Sequence, residues 1–69
     1  MDMTNKLKIY RAIKEVSQQE LADRMEVSRQ TINAIENNKY SPSLLLGLKL
    51  AAFLGCTVDE LFQLEEHEK

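Results

Sequence analysis

"RMEVSRQTI" (residues 24–32) lies between two stretches that both carry helical periodicity, and the path of the chain through it decides the fold. A continuous helix would turn Val27 away from the apolar stripe begun by Leu21, Ala22 and Met25, and would leave Ser28 without a helix end to cap. A break at Glu26-Val27-Ser28 uses both residues: Val27 returns to the core, and Ser28 caps a new helix from Arg29. Neither Gly nor Pro eases that break. Two helices meeting at a tight corner are therefore predicted. They approach closely only if the inward residue midway along the first is small, and Ala22 meets that need.

Working outward, Leu7, Tyr10 and Ile13 recur at threefold spacing, with Ile9 and Ile13 four apart, which marks an amphipathic helix before the corner. Ser17-Gln18-Gln19-Glu20 fits a capping box for the next helix, with Val16 and Leu21 placed as a hydrophobic staple. After the corner, Ile32, Ala34 and Ile35 face inward, while Arg29, Gln30 and Asn33 share another face. Asn37-Asn38 is a stop, because Asn tolerates the left-handed conformation. Ser41-Pro42 opens a fourth helix with Pro at its first position, Gly55 closes it, and Thr57-Val58-Asp59-Glu60 is a second capping box. The predicted helices cover about residues 5–15, 18–25, 29–36, 42–54 and 58–62, and a polar acidic tail, 63–69, is expected to fray. The fold class is all-α: a compact five-helix bundle in one domain, residues 1–69.

Composition agrees with this and excludes several functions. With 69 residues the chain is near the size at which an apolar core suffices without disulfides or metal. The lone Cys56 cannot form an internal disulfide and reads as a small core residue; with the single His67 it makes no metal site. No Ser/His/Asp set, Gly-rich phosphate loop or pocket-forming carboxylate pair appears, so no catalytic residue, cofactor or small-molecule ligand is expected. No long apolar run is present, which points away from the membrane and to the cytoplasm. The net charge of −2 disfavours a polyanionic partner mildly, but residues 1–49 hold eight Lys/Arg against six acids, leaving the body weakly basic.

The stretch "SQQELADRMEVSRQTINAIENNKYSPSL" (17–44), with Arg11 before it and Leu54-Gly55 after it, resembles the Cro/C1-type (Xre) helix-turn-helix family of transcriptional regulators, in particular its small single-domain members. The match covers roughly residues 5–62. It departs from the family at Glu15, Glu26 and Asn38, where relatives commonly carry Gly. The resemblance implies a lambda-repressor-like domain whose third helix enters the major groove of double-stranded DNA. Carried over, Arg29, Gln30 and Asn33 are the base readers; Arg pairs bidentately with guanine, and Gln or Asn with adenine. Gln18 resembles the family's phosphate-contacting glutamine, and Ser28, Thr31, Lys39 and Tyr40 are further phosphate candidates. Arg11 and Glu36 are implied to form a partly buried ion pair.

The fourth helix carries Lys49 as its only charge, which is one apolar face too many for so small a domain. Leu44, Leu48, Ala51 and Leu54 are read as its core stripe. Leu45, Ala52 and Phe53, with Phe62 and Leu64, are then either a homodimer face or extra packing under the C-terminal segment. The expected function is sequence-specific DNA binding as a homodimer on a pseudo-palindromic operator. The alternative is a protein-interaction adaptor or antitoxin-like partner on the same fold.

Overall fold

The break at Glu26 is present. In a computed structural model that describes residues 2–65, helix α2 (Gln18–Met25) ends at Glu26, whose backbone lies in the left-handed region at φ 61°, ψ 42°. Helix α3 (Arg29–Glu36) starts from Ser28, whose hydroxyl accepts the Thr31 amide at 3.1 Å. The Glu26 and Val27 amides turn back onto the carbonyls of Asp23 and Ala22, so both are paired at the corner. Glu15 (φ 61°) and Asn38 (φ 59°) share the left-handed conformation. The three positions where the resemblance implies Gly are thus the three non-glycine left-handed residues among those described.

Helices α1 (Leu7–Lys14), α4 (Leu44–Leu54) and α5 (Val58–Leu61) complete the bundle. Both expected capping boxes form: Ser17 with Glu20 (3.0 and 2.8 Å) and Thr57 with Glu60 (3.2 and 2.8 Å). Leu7, Leu21, Ala22, Met25, Ile32, Ile35, Leu50, Ala51, Leu54 and Leu61 make one buried core, with Val16, Val27 and Cys56 packed against it. Burial pushes the Cys56 thiol up from its ordinary pKa, and the nearby Glu60 charge adds to this, so Cys56 is a packing residue with little thiolate.

The all-α class holds with one small addition, a two-stranded sheet in which β1 (Asp2–Asn5) pairs antiparallel with β2 (Phe62–Glu65), Met3 opposite Leu64 and Asn5 opposite Phe62. Four expectations are corrected. Residues 63–65 of the expected frayed tail are therefore strand, and 66–69 lie outside the described residues. Helix α1 starts at Leu7 rather than Asn5. Asn5 instead accepts the Leu7 amide on Oδ1 (3.0 Å) and donates from Nδ2 to the Ile35 carbonyl (2.8 Å) and to Asn38 Oδ1 (2.9 Å), tying the first strand to the end of α3. Ile9 and Ile13, expected on the inner stripe of α1, are exposed, Ile13 by 72%. On a helix that turns about 100° per residue, Ile9 lies about 160° and Ile13 about 120° around from Leu7.

The fourth correction concerns α4, which begins at Leu44 with Ser43 as its cap, two residues later than Ser41-Pro42 suggests. Its buried face is Gly47, Leu50, Ala51 and Leu54. Leu44, expected in the core, is 74% exposed, and Leu48 is also exposed. Gly47 lies against Phe62, where an added Cβ would sit 3.7 Å from the ring. The residues assigned to a second apolar face divide accordingly. Leu45 (67%), Ala52 and Leu64 are exposed, whereas Phe53 and Phe62 are half-buried against the chain's own core. Phe53 is flanked by Lys14 Nζ at 5.3 Å and Arg24 Cζ at 5.2 Å from the ring centroid, a contact that joins the ends of α1 and α2 to α4.

Arg11 Nε donates to Glu36 Oε2 at 2.7 Å, joining α1 to the last residue of α3, and the Glu36 side chain is only 1% exposed. Arg11 Nη1 also donates to the Val16 carbonyl at 3.0 Å. Arg11→Met leaves a buried carboxylate without its cation and should cost about 3–5 kcal/mol in urea unfolding. The double variant Arg11→Met/Glu36→Met should recover part of that loss, and strictly additive losses would show that the pair does not act as a unit. At the corner, Glu26→Gly should raise stability by up to about 1 kcal/mol, whereas the β-branched Glu26→Val should lower it. A destabilised glycine variant would mean that the Glu26 side chain contributes more than its backbone strain costs.

Candidate nucleic-acid interface

The amino end of α3 carries the polar residues singled out in the sequence. Arg29, Gln30 and Asn33 are all exposed and together line a shallow concavity, as their offsets of one, three and four on one helix require. Ser28 caps the helix, and its hydroxyl lies 2.9 Å from that of Thr31, so the two form a polar pair at the helix start. No charged residue precedes Arg29 in α3, which leaves its positive end uncompensated by an acidic first turn.

Gln18 differs in setting from a free phosphate contact. It is half-buried, at the first position of α2, and its Nε2 donates to Glu36 Oε1 at 2.9 Å and to Asn33 Oδ1 at 3.2 Å. Arg29 Nε donates to Gln18 Oε1 at 3.4 Å. Asn37, just past the helix, donates from Nδ2 to the Asn33 carbonyl (3.0 Å) and to Asn33 Oδ1 (3.3 Å). The Arg11–Glu36 pair thus continues through Gln18 into two of the three candidate readers. This link was not legible in sequence, because Gln18 and Glu36 lie on different helices and nothing local connects them. Asn5 was missed for the same reason.

Lys39 and Tyr40 lie beyond α3 and are exposed. Tyr40 shares a shallow concavity with Asp2, Thr4, Asn38 and Glu65, so two carboxylates line the surface it faces. That makes Tyr40 a poorer phosphate contact than Lys39. Glu36, the acid closest to the readers along α3, is paired with Arg11 and turned inward. Among the described residues no group of three or more His, Cys, Asp or Glu could hold a metal ion, and no helix is long and apolar enough to cross a membrane.

The geometry agrees with comparisons to known proteins. Residues 7–61 match the helix-turn-helix family. An HTH-type transcriptional regulator of Methanocaldococcus jannaschii, described as uncharacterised, is 50% identical over 66 residues, covering 96% of this chain and 100% of the relative. The Bacillus subtilis regulator YgzD is 44% identical over 64 residues, covering 93% of this chain and 97% of the relative. Among solved structures, a Bacteroides fragilis protein described as a candidate DNA-binding protein superposes with a TM-score of 0.81 at 33% identity, covering 88% of this chain and 98% of that one. The restriction-modification controller protein C.AhdI of Aeromonas hydrophila superposes with a TM-score of 0.71 at 31% identity, covering 78% of this chain and 82% of that one. A corner at Glu26, an exposed polar face on α3 and these relatives lead to one conclusion: the chain belongs to the Cro/C1-type (Xre) helix-turn-helix family of DNA-binding transcriptional regulators, which are not enzymes.

Proposed function

We propose that the chain is a cytoplasmic, sequence-specific regulator that binds a pseudo-palindromic operator as a homodimer, with α3 in the major groove. The observation that carries the reading role is the exposed face Arg29, Gln30 and Asn33 on a capped helix start, braced from beneath by Gln18. Arg29 keeps its terminal guanidinium nitrogens for a guanine, since only Nε is directed to Gln18. Ser28, Thr31 and Lys39 flank that face as phosphate contacts, with Tyr40 a lesser one. Gln18 contributes to phosphate binding through its main-chain amide at the start of α2, because both side-chain amide protons are directed to protein acceptors.

Dimerisation is supported by the exposed face of α4. Leu44, Leu45, Leu48 and Ala52 fall within about 100° of arc on that helix, a leucine ridge that its own domain does not cover. Leu64 on β2 is a further exposed apolar residue. A twofold axis at this ridge would set two recognition helices about 34 Å apart, matching half-sites one helical turn apart. The same ridge supports a second reading, an adaptor or antitoxin-like protein that covers it with a different partner.

DNA affinity should fall by about a thousandfold or more between roughly 50 and 200 mM salt, as phosphate contacts release counterions. Arg29→Ala should cost about 1–3 kcal/mol on the preferred duplex and relax selectivity at one base pair. An unchanged ratio of target to random affinity would remove Arg29 from the reading set, and no retained duplex even at low salt would favour the adaptor reading. Sedimentation equilibrium should report a dimer of the 8.0 kDa chain. Leu45→Glu/Leu48→Glu should yield a folded monomer with weakened operator binding, and a variant that still dimerises would move the interface elsewhere.

A further inference from the structure

The hydrogen-bond chain that starts at Arg11 fixes which atoms of the reading surface are donors. Arg11 Nε donates to Glu36 Oε2 at 2.7 Å, and in this ion pair the carboxylate oxygens only accept. Gln18 must then turn Nε2 toward Glu36 Oε1, 2.9 Å away, because the flipped amide would set oxygen against oxygen with no proton between them. Nε2 has a second proton, which goes to Asn33 Oδ1 at 3.2 Å. Asn37 Nδ2, anchored on the Asn33 main-chain oxygen at 3.0 Å, approaches the same Oδ1 at 3.3 Å. Two donors therefore meet the Asn33 amide oxygen, and the group that the side chain has left for a ligand is its Nδ2 amine. Gln30 is the contrast: it has no hydrogen bond among the described residues, and its amide can turn either way.

We propose that Asn33 is a donor-only reader selecting a keto base, guanine or thymine, and that Glu36 and Gln18 are positioning residues that set this polarity. The inference rests on the base-reading role proposed above for α3 and deepens it. The ordinary asparagine contact to adenine uses both amide atoms, with the oxygen accepting from adenine N6 and the nitrogen donating to N7. Here that oxygen is already engaged. Guanine offers N7 and O6 and thymine offers O4, all acceptors for Nδ2, whereas cytosine turns its N4 amino donor toward another donor. Adenine, expected for Asn33 from residue type alone, is thus disfavoured. Arg29 also presents donors only, so the half-site should be acceptor-rich under both residues.

Duplexes selected from a random pool by the wild-type chain and by Asn33→Ala provide the test. The base pair whose preference flattens in Asn33→Ala is the one that Asn33 reads. A G·C pair there, with affinity falling about tenfold when the guanine becomes 7-deazaguanine, is the expected result. If the pair is A·T, replacing adenine by purine, which lacks only the N6 amino group, should leave affinity unchanged because no acceptor on Asn33 meets N6. A tenfold loss on that replacement would overturn the inference, as would a G·C pair indifferent both to 7-deazaguanine, which lacks N7, and to 2-aminopurine, which lacks O6, or an Asn33→Ala profile that flattens nowhere. Gln18→Met, of similar volume and with no amide, removes the shorter of the two contacts to Asn33 Oδ1 and should weaken the discrimination against adenine at the same position. A folded Gln18→Met that keeps the full discrimination would show that Gln18 does not set it. Failure of the wild-type chain to retain any duplex at low salt would instead overturn the DNA-binding mode itself, which separates the two outcomes.

Discussion

The Glu36 carboxylate is the constraint on which most of the structure depends. It ends α3, is shielded almost completely from solvent, and takes one donor from α1 through Arg11 and another from α2 through Gln18. Three helices are thereby fixed to one charge. A buried carboxylate left unpaired is costly enough to exceed a large part of a small domain's stability. Loss of either donor should therefore weaken the junction of all three helices at once. Because Gln18 also touches Asn33 and Arg29, the interaction that joins the helices also orients the surface that meets the ligand. Folding and reading are coupled through one side chain.

The corners show how a small core tolerates local strain. Two of the three left-handed non-glycine residues are glutamates, each costing about 1 kcal/mol against glycine. Each corner is closed by backbone amides that return to the preceding helix, and each following helix except α4, which follows Asn38 at some distance, begins directly from a serine cap. Capping bonds of about 1 kcal/mol apiece offset the strain in the same few residues where it arises. The domain therefore keeps sharp corners without glycine, and glutamates at two of them remain exposed to solvent.

How much of the molecule was legible depended on whether the information was local. Ser17, Ser28, Thr57 and Gly55 announce helix ends within four residues of where they act, and each was read correctly. Amphipathic α2 and α3 give their own rotation, so Leu21, Ala22, Met25, Ile32 and Ile35 were found in the core as expected. Helix α4 is apolar nearly all round, and such a helix has no periodicity from which its rotation can be read. Leu44 and Leu48 were assigned to the core and Leu50 was not, and contacts with α1, α2 and α5 decided for Leu50. The β1–β2 pairing escaped notice because strands of four residues leave only two side chains per face, and the partners lie at opposite ends of the chain.

The sequence by itself determined the helical class, the corner at Glu26, the caps and the identity of the exposed residues on α3, because each follows from the chemistry of neighbours within one or two turns. Tertiary structure alone decided which face of α4 is buried, that the two chain ends form a sheet, and that Gln18 is held between Glu36 and Asn33. These outcomes depend on side chains distant in sequence that meet only after the helices pack. The polarity of the Asn33 amide belongs with them. Residue type leaves an asparagine free to present either atom, and a buried charge two contacts away removes that freedom.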